Sequence, residues 1–448
     1  MSGINRVAVA AVLAAMALVV LDAAIVNVAL PTVAASLQLP PAQAVLVVTA
    51  YQLGLVMALL PCAALGESLG YRCVFVAGVA LFALASAAGA LAPSFAWLVA
   101  ARLLQGLGGA AVMALGITLL RQIVMPARLG AAIGWNALTV GLAAAAGPAL
   151  GAYLLSVLPW QVLFILNLPV GMLVLLLSLA LPCAAGNGRQ VDAVSATLNA
   201  ASFGGVVIGV QLLPAWPALA ILLLLGAMAA LVLLIRRELP REAPLIPFDL
   251  LRLRSFRVSA TASLCCFAGQ TAALIALPFY LQHGLHQSAK LTGLMLTPWP
   301  LAVALAAPVV GRLAEHLPGA WLCAAGGVTL ATGLAATALW PLHGDPLALV
   351  PFILLCGFGF GLFQVPNNRG MFLTAPPARS GAAGGMQGTA RLAGQAAGAV
   401  AMTLLFTLLP PGLAPRFGLA LGAALTLAAG LVSLLRLPKG RNGGPGGT

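Results

Sequence analysis

One acidic residue lies deep inside a long apolar segment of the sequence. Of the eight Asp and Glu residues among 448, only Asp22 falls well within such a segment. A carboxylate at the centre of a bilayer costs about 2.5–3.5 kcal/mol on insertion scales, and residues of this kind usually mark a transport pathway or a proton relay. Asp22 is therefore the leading candidate for chemistry, and that chemistry would be reversible protonation.

Arg102 is the basic residue best placed to pair with Asp22. A helix rises about 1.5 Å per residue, which puts Asp22 about 22 Å along the first apolar segment and Arg102 about 9 Å along the fourth, which runs the other way. In a hydrocarbon core about 30 Å thick, the two side chains reach the same depth. Burial favours the neutral carboxyl and a neighbouring guanidinium favours the carboxylate, a balance that suits proton coupling. A fixed ion pair that only specifies packing is the alternative.

The composition indicates that these two residues belong to a membrane protein. Apolar residues make up 62% of the sequence and charged residues 6%, whereas soluble domains carry roughly 25% charged residues. So few charges cannot cover a large water-facing surface, which excludes a large soluble enzyme, and the apolar content excludes a disordered chain. Because the apolar runs are continuous rather than alternating, the sequence predicts an all-α polytopic membrane protein and not a β-barrel.

Fourteen apolar segments reach the length of about 20 residues that a membrane-spanning helix needs. The first segment runs past the usual length of a signal-peptide core and thirteen others follow, so we interpret it as an uncleaved first helix. The segments are predicted at about 7–30, 44–65, 74–92, 96–120, 131–154, 161–181, 194–213, 216–235, 258–281, 291–313, 320–340, 347–366, 384–408 and 417–435.

The basic residues are concentrated on one side of the predicted bundle. Of the 21 Lys and Arg residues, only Lys290 and Arg416 fall on the side opposite the N-terminus, and Arg102 and Arg391 fall within segments. The positive-inside rule then puts both termini in the cytoplasm. This distribution explains the net charge of +13 by membrane topology. The lipid bilayer is therefore the expected partner of the charged surface, and no nucleic acid is expected.

A weak internal repeat divides the chain. Glu67 follows the second segment in ALGESLGYR, and Glu315 follows the tenth in GRLAEHL. Two six-helix halves around a central site are the architecture of secondary transporters. The predicted units are an N-terminal six-helix bundle at 1–185, two extra transmembrane helices with a cytoplasmic connector at 186–257, a C-terminal six-helix bundle at 258–436 and a disordered tail at 437–448.

Several separated motifs resemble those of one transporter family. They are LDAAIVNVALP (21–31), ALGESLGYR (64–72), RLLQGLGGA (102–110), AGPALGA (146–152), FILNLPVG (164–171) and RSGAAGGMQGTARLAGQ (379–395). Together they resemble the 14-helix drug:proton antiporter branch of the major facilitator superfamily, the EmrB/QacA type. The sequence departs from the family's loop motif at Glu67 and Ser68, where Asp and Arg are usual, and at Ala63, where Gly is usual.

The resemblance implies a fold, an activity and several residue roles. The fold is two six-helix bundles plus two inserted helices. The activity is proton-coupled export of small amphipathic molecules, as in multidrug efflux, across the bacterial inner membrane. Asp22 and Arg102 would couple protons to this transport. The residues of the gating and family motifs are Glu67, Gly70, Arg72, Gln105, Gly106, Gly147, Pro148, Gly151 and Glu315.

Polar residues within the apolar segments are the candidates for binding substrate. Each polar group in lipid needs a partner, which can be a neighbouring helix or a ligand. Arg391 can reach a cavity or, by extending its side chain, the membrane surface. No acidic residue lies in a neighbouring segment to pair with it, so an anionic substrate group is a candidate partner. The candidates are Asn27, Tyr51, Gln52, Asn136, Gln270, Trp299, Gln364 and Arg391.

Other classes of function have less support in the sequence. It lacks the P-loop pattern G-x-x-x-x-G-K-[ST], its cysteines lack metal-ligand spacing, and no grouping of catalytic residues occurs within the segments. We therefore expect neither an enzyme nor a cofactor or metal. The loops are too short for the ligand domain of a receptor. A specific metabolite exporter or a proton symporter of the same fold stays open, and a periplasmic adaptor protein is a candidate partner beside the substrate and protons.

Overall fold

The structure is a computed structural model, and 14 helices in the part of the chain that it describes are long and apolar enough to cross a membrane. This confirms the predicted all-α polytopic fold. The predicted disordered tail at 437–448 lies outside the described residues. The structure describes residues 6–188, 192–240, 248–341, 345–375 and 380–436.

The fourteen helices correspond one to one with the predicted apolar segments. The largest differences are at the ends of α1 and α12, which continue past Pro31 and Pro366. A proline inside a helix removes one hydrogen bond but does not end the helix when neighbouring groups satisfy the freed carbonyl. In chain order, the helices are α1 (Arg6–Ser36), α2 (Pro41–Leu69), α3 (Tyr71–Ala90), α4 (Phe95–Ile123), α5 (Ala131–Val157), α6 (Val162–Ala180), α7 (Ala193–Leu212), α8 (Pro217–Glu238), α9 (Arg254–Gly284), α10 (Ala289–His316), α11 (Gly319–Leu339), α12 (Pro346–Thr374), α13 (Ala383–Leu408) and α14 (Ala414–Leu434).

The first six helices pack mainly around α4 and α1. Helix α4 contacts α2 and α3, and α1 contacts α4, α5 and α6. Helices α2 and α4 approach closely because two glycines face each other. A Cβ atom on Gly106 would overlap the backbone oxygen of Tyr51, next to Gly54. Small residues permit such close backbone contacts between helices in lipid, where no hydrophobic force drives helices together.

The last six helices form a second group, which contacts the first at several places. Within it, α9 contacts α13 and α14, α11 contacts α12 and α14, and α10 contacts α12. The two groups meet where α5 contacts α10, α2 contacts α13 and α1 contacts α9. These contacts surround the centre of the molecule, where the candidate site lies. The domain boundaries themselves stay predictions.

The inserted helix α7 binds to both groups of helices. Asn199 is buried and donates from Nδ2 to the backbone oxygen of Met57 in α2 at 3.0 Å. Pro61 has no N–H and so leaves this Met57 oxygen without its usual helical donor. Further along α7, Gln211 Nε2 donates to Thr403 Oγ1 of α13 at 3.2 Å. Helix α7 therefore bridges α2 and α13 at one edge of the two groups.

Removing the Asn199 amide should loosen α7 from α2. We expect Asn199→Ala to lower the free energy of unfolding by roughly 0.6–2 kcal/mol, because the Met57 oxygen loses its donor in an apolar environment. Pro61→Ala restores a backbone N–H at position 61, so the cost of Asn199→Ala should shrink in that background. Reversible unfolding in mixed micelles measures both costs, with exposed Thr197→Ala on the same helix as the control. Equal costs in the two backgrounds would show that the amide does not serve the freed carbonyl.

Candidate functional site

Asp22 and Arg102 form a buried ion pair inside the first six helices. Arg102 Nη1 lies 2.6 Å from Asp22 Oδ2, and the two residues are 1% and 2% exposed, respectively. Helical rise predicts that Asp22 and Arg102 lie at the same depth, and in the structure the two side chains are in direct contact. A charge-assisted hydrogen bond of this length is a strong one, and it neutralises a carboxylate that the membrane interior would otherwise exclude.

Neutral side chains complete the surroundings of the Asp22 carboxylate. Gln105 Nε2 and Asn167 Nδ2 donate to its Oδ1 at 2.9 and 2.7 Å. Gln105 Oε1 also accepts from Arg102 Nη1 at 2.6 Å, and Ser86 Oγ accepts from Gln105 Nε2 at 2.9 Å. The network joins α1, α3, α4 and α6, so a change in the charge of Asp22 alters contacts among four helices.

Two members of this network are absent from the residues predicted from sequence. Asn167 lies in FILNLPVG, where a single amide within an apolar run is a usable signal for a buried polar contact. Ser86 gives no such signal, because a serine in an apolar helix can bond to its own backbone. Ser86 does so as well, donating to the Phe82 backbone oxygen at 2.7 Å.

Arg102 connects the ion pair to a cavity between the two groups of helices. Its Nε donates to the Val47 backbone oxygen at 3.1 Å, and its guanidinium carbon lies 4.3 Å from the centre of the Tyr51 ring. The Tyr51 hydroxyl donates to the Val19 backbone oxygen at 3.2 Å, which fixes the ring. Arg102 and Tyr51 both line the cavity, whereas Asp22 is not among the lining residues.

The cavity has a volume of about 220 Å³ and a mainly apolar wall drawn from both groups of helices. Four of the eight predicted substrate-binding residues line it, namely Asn27, Tyr51, Gln52 and Arg391. An apolar wall with a few polar groups is typical of sites for small amphipathic molecules. The remaining lining residues are Val19, Val20, Ala23, Val48, Leu55, Arg102, Met113, Val140, Thr271, Leu274, Leu392 and Gln395.

The other four predicted binding residues are not among those that line the cavity. Trp299 is 1% exposed and its backbone packs against Gly357. Asn136 is also buried, while Gln270 and Gln364 are partly buried. The sequence gives the depth of each residue along its helix, but the face that each helix turns to the centre depends on packing against several neighbours.

The turn between α2 and α3 is held by the segment that follows α6. Gly70 has a φ of +100°, a conformation that favours glycine. Arg72 Nη1 donates to the Leu181 backbone oxygen at 3.1 Å, and the Asn187 N–H donates to the Glu67 backbone oxygen at 2.8 Å. Because the Glu67 side chain is exposed, the turn is held by backbone groups and by Arg72.

Glu315 occupies a similar position at the end of α10. Its side chain is exposed, and the backbone oxygen of the neighbouring Ala314 accepts from Arg369 Nη1 of α12 at 2.9 Å. At the first position, Arg72 at the start of α3 binds a backbone oxygen just beyond the end of α6, and at the second, Arg369 of α12 binds one near the end of α10. Such bonds satisfy carbonyls that a helix C-terminus leaves free.

The motif AGPALGA packs α5 against α1 and α10. Gly147 and Gly151 lie against α1, and a Cβ atom on Gly151 would be 3.2 Å from Ile25 Cγ2. Across the boundary between the two groups, a Cβ atom on Gly293 of α10 would overlap the Pro148 backbone oxygen. The tight helix contact expected from the G-x-x-x-G spacing is present. It joins the helix that carries Asp22 to the second group of helices.

Fourteen apolar helices around a partly polar central cavity define an integral membrane protein. The chain belongs to the major facilitator superfamily, whose profile, described as Major Facilitator Superfamily, matches residues 12–399 and, in a second match, 259–447. The second match covers the C-terminal group of helices from α9 onward. The family expected from the sequence motifs is thereby confirmed.

Relatives of this chain are transporters. The Uncharacterized transporter YebQ of Escherichia coli (strain K12) is 40% identical over 402 residues, which cover 87% of this chain and 86% of that protein. The Tetracenomycin C resistance and export protein of Streptomyces glaucescens is 30% identical over 398 residues, covering 86% and 72% of the two chains. A crystal structure of a POT family transporter with a thioalcohol-conjugated peptide has the same fold, with a TM-score of 0.72 at 13% identity over 95% of both chains.

Gly106→Ala should push α2 and α4 apart beside the ion pair. The added methyl group overlaps the Tyr51 backbone oxygen, so the helices must separate and the Tyr51 ring moves off Arg102. We expect a loss of about 1–3 kcal/mol in the free energy of unfolding, measured in detergent. Gly226→Ala on α8, where nothing lies within 4 Å of the added atom, is the matched control and should be neutral or slightly stabilising. A Gly106→Ala protein as stable as this control would contradict the close contact.

Proposed function

We propose that the chain is a proton-coupled secondary transporter that exports small amphipathic molecules in exchange for protons. The observation that carries this proposal is the buried pair of Asp22 and Arg102. One partner is an acid that can take up a proton, and the other lines the central cavity. Arg102 thus contacts the proton site and the space for substrate with the same guanidinium, which makes these two residues the proposed proton-coupling pair.

The proton acts through the helices that meet at Asp22. The ionised carboxylate accepts from Arg102, Gln105 and Asn167. A proton on the carboxyl removes the ion pair and weakens these bonds, so the neutral and ionised forms favour different arrangements of α1, α3, α4 and α6. Alternating access follows when the two arrangements open the cavity to opposite sides of the membrane. The proton gradient drives the cycle, and each charge moved is worth about 2.3 kcal/mol per 100 mV.

The substrate is proposed to bind in the cavity through two kinds of contact. The apolar wall takes the body of the molecule, and Asn27, Tyr51, Gln52 and Arg391 supply polar contacts. Asn27 Oδ1 and Gln52 Oε1 are buried without a donor among the described residues, which leaves them for a ligand. The nine apolar residues among the sixteen that line the cavity provide a surface that suits a range of related molecules, as in multidrug efflux.

Export is the proposed direction because the relative from Streptomyces glaucescens is named a resistance and export protein. The proposed location is the bacterial inner membrane, with the end of the bundle that carries Arg6 and Arg72 in the cytoplasm. At that end, the α2–α3 turn with Glu67 and Gly70 is the proposed gate. A periplasmic adaptor protein stays a predicted partner.

Proton symport is the second candidate, and one observation favours it. Two charged residues, Arg102 and Arg391, line the cavity, whereas Asp22 is not among the lining residues. A proton on Asp22 leaves Arg102 without its counter-charge and so raises the positive charge of the wall. An anionic substrate and a proton would then strengthen each other's binding instead of competing, which is the condition for symport.

Proton movement during substrate efflux separates the two candidates. Vesicles that contain the purified protein are loaded with substrate and a pH-sensitive dye, then diluted into substrate-free buffer. Antiport acidifies the lumen as substrate leaves, whereas symport makes it more alkaline. We expect acidification, which is the sign of antiport. Absence of any flux across a panel of cationic, neutral and anionic compounds would contradict secondary transport.

We expect Asp22→Asn to abolish the coupled proton movement, because an amide does not take up the transported proton. Substrate binding should persist, since Asp22 does not line the cavity. Exchange of labelled for unlabelled substrate, which requires no net proton transfer, measures the remaining binding and movement. The matched control is Asp345→Asn, an exposed acid whose cap on the Leu347 N–H an asparagine can keep. Full proton-coupled transport by Asp22→Asn would rule out the coupling role.

A further inference from the structure

We propose that the cavity recognises one negatively charged group on its substrate, most simply a carboxylate, through Arg391. This proposal rests on the proposed transport function and names the substrate class of the same site. It holds for either direction of proton coupling. Three features of the structure support it: the direction of Arg391, its missing counter-charge and the nature of the remaining wall.

Helix packing turns Arg391 towards the cavity. On the same side of α13 as Arg391, one and two turns further along, Gly394 and Gly398 lie against the backbone of α9, where an added Cβ atom would overlap main-chain oxygens. Arg391 and Gln395 are one turn apart and both line the cavity. The close contact of α13 with α9 thus fixes the rotation of the helix, and with it the direction in which the Arg391 side chain leaves the backbone.

The Arg391 guanidinium has no counter-charge in the part of the chain that the structure describes. The ion pairs there join Asp22 to Arg102 and Asp192 to Arg237. The residues named in the cavity wall include no Asp or Glu, and Arg391 Nε is buried without an acceptor. A guanidinium in the membrane interior costs free energy unless an anion or hydrogen-bond acceptors compensate it. An anionic substrate supplies this compensation.

Arg102 cannot play the same part, although it also lines the cavity. Its Nη1 binds Asp22 and Gln105, each at 2.6 Å, and its Nε binds the Val47 backbone oxygen at 3.1 Å. Its charge is neutralised by the carboxylate, and its Nε and Nη1 already have acceptors. Arg391 is therefore the cationic group of the wall that remains for a ligand.

The other residues that line the cavity indicate the chemistry of the rest of the ligand. Leu55, Val140 and Leu274 present apolar surface, while Asn27 Oδ1 and Gln52 Oε1 are free to accept hydrogen bonds. The volume of about 220 Å³ is below the range of roughly 300–1,000 Å³ that holds drug-sized molecules. The expected ligand is thus a compact amphipathic monoanion with an apolar body.

A matched series of probes with one scaffold tests the preference for negative charge. The probes are 2-naphthoate, 2-naphthamide and 2-naphthylmethylammonium, and their affinity is measured with the purified full-length protein in detergent at fixed pH and salt. We expect the carboxylate to bind roughly 10- to 100-fold more tightly than the amide, the range of a charge-assisted hydrogen bond. The ammonium compound should bind most weakly.

Variants assign the preference to Arg391. Arg391→Gln should reduce the advantage of naphthoate over naphthamide to about twofold or less, and Arg391→Lys should keep part of it, because the charge remains but the paired donors do not. Arg312→Gln removes the same charge from an exposed position on α10 and is the matched control. It should leave the preference unchanged.

Each outcome has a defined meaning. Equal affinity of the wild-type protein for naphthoate and naphthamide overturns the proposal without any variant, even if Arg391→Gln fails to fold. An unchanged preference in a folded Arg391→Gln protein overturns it as well. Because binding is measured without vesicles or a gradient, failure of the proposed transport function would appear as absent flux with the charge preference intact. Flux with no charge preference would keep the transport function and discard the role of Arg391.

Discussion

A carboxylate in the interior of a membrane protein must be neutral or compensated, and the first six helices are arranged around this requirement. Asp22 receives an ion pair from α4 and an amide from each of α4 and α6. These donors must reach one depth, which restricts how the helices can slide along one another. The contact of Gly106 with Tyr51 then brings α2 close enough to place an aromatic ring on Arg102. Packing and electrostatics thus depend on the same few residues.

The sequence predicts the class of membrane protein, the fourteen helices and the pairing of Asp22 with Arg102, because each of these depends on local quantities. Hydropathy over about 20 residues identifies a span, and helical rise gives the depth of a residue. The sequence does not predict which polar residues face the cavity. Asn27 and Gln52 line it while Trp299 does not, a difference that follows from the rotation of whole helices. That rotation is set by contacts among many helices, which no single segment encodes.

The two arginines of the cavity illustrate the same limit in electrostatic terms. Both lie within apolar segments, and their residue type and depth alone make them equivalent. The structure gives Arg102 an acid from a neighbouring helix and gives Arg391 none among the described residues. Arg102 belongs to the first group of helices and Arg391 to the second. The cavity therefore has a compensated charge on one side and an uncompensated charge on the other. This asymmetry arises only when the two groups meet.

The bond from Asn199 to the Met57 oxygen determines how separable the inserted helices are. Pro61 leaves that oxygen free, and α7 supplies the donor. A shortened twelve-helix version of this chain would present an unpaired carbonyl to hydrocarbon on α2, at a cost of roughly 0.6–2 kcal/mol. Helices α7 and α8 are therefore not a removable appendage. A variant without these two helices must also replace Pro61 with a residue that has an N–H. Pro61 and the Asn199 amide are therefore tolerated only together.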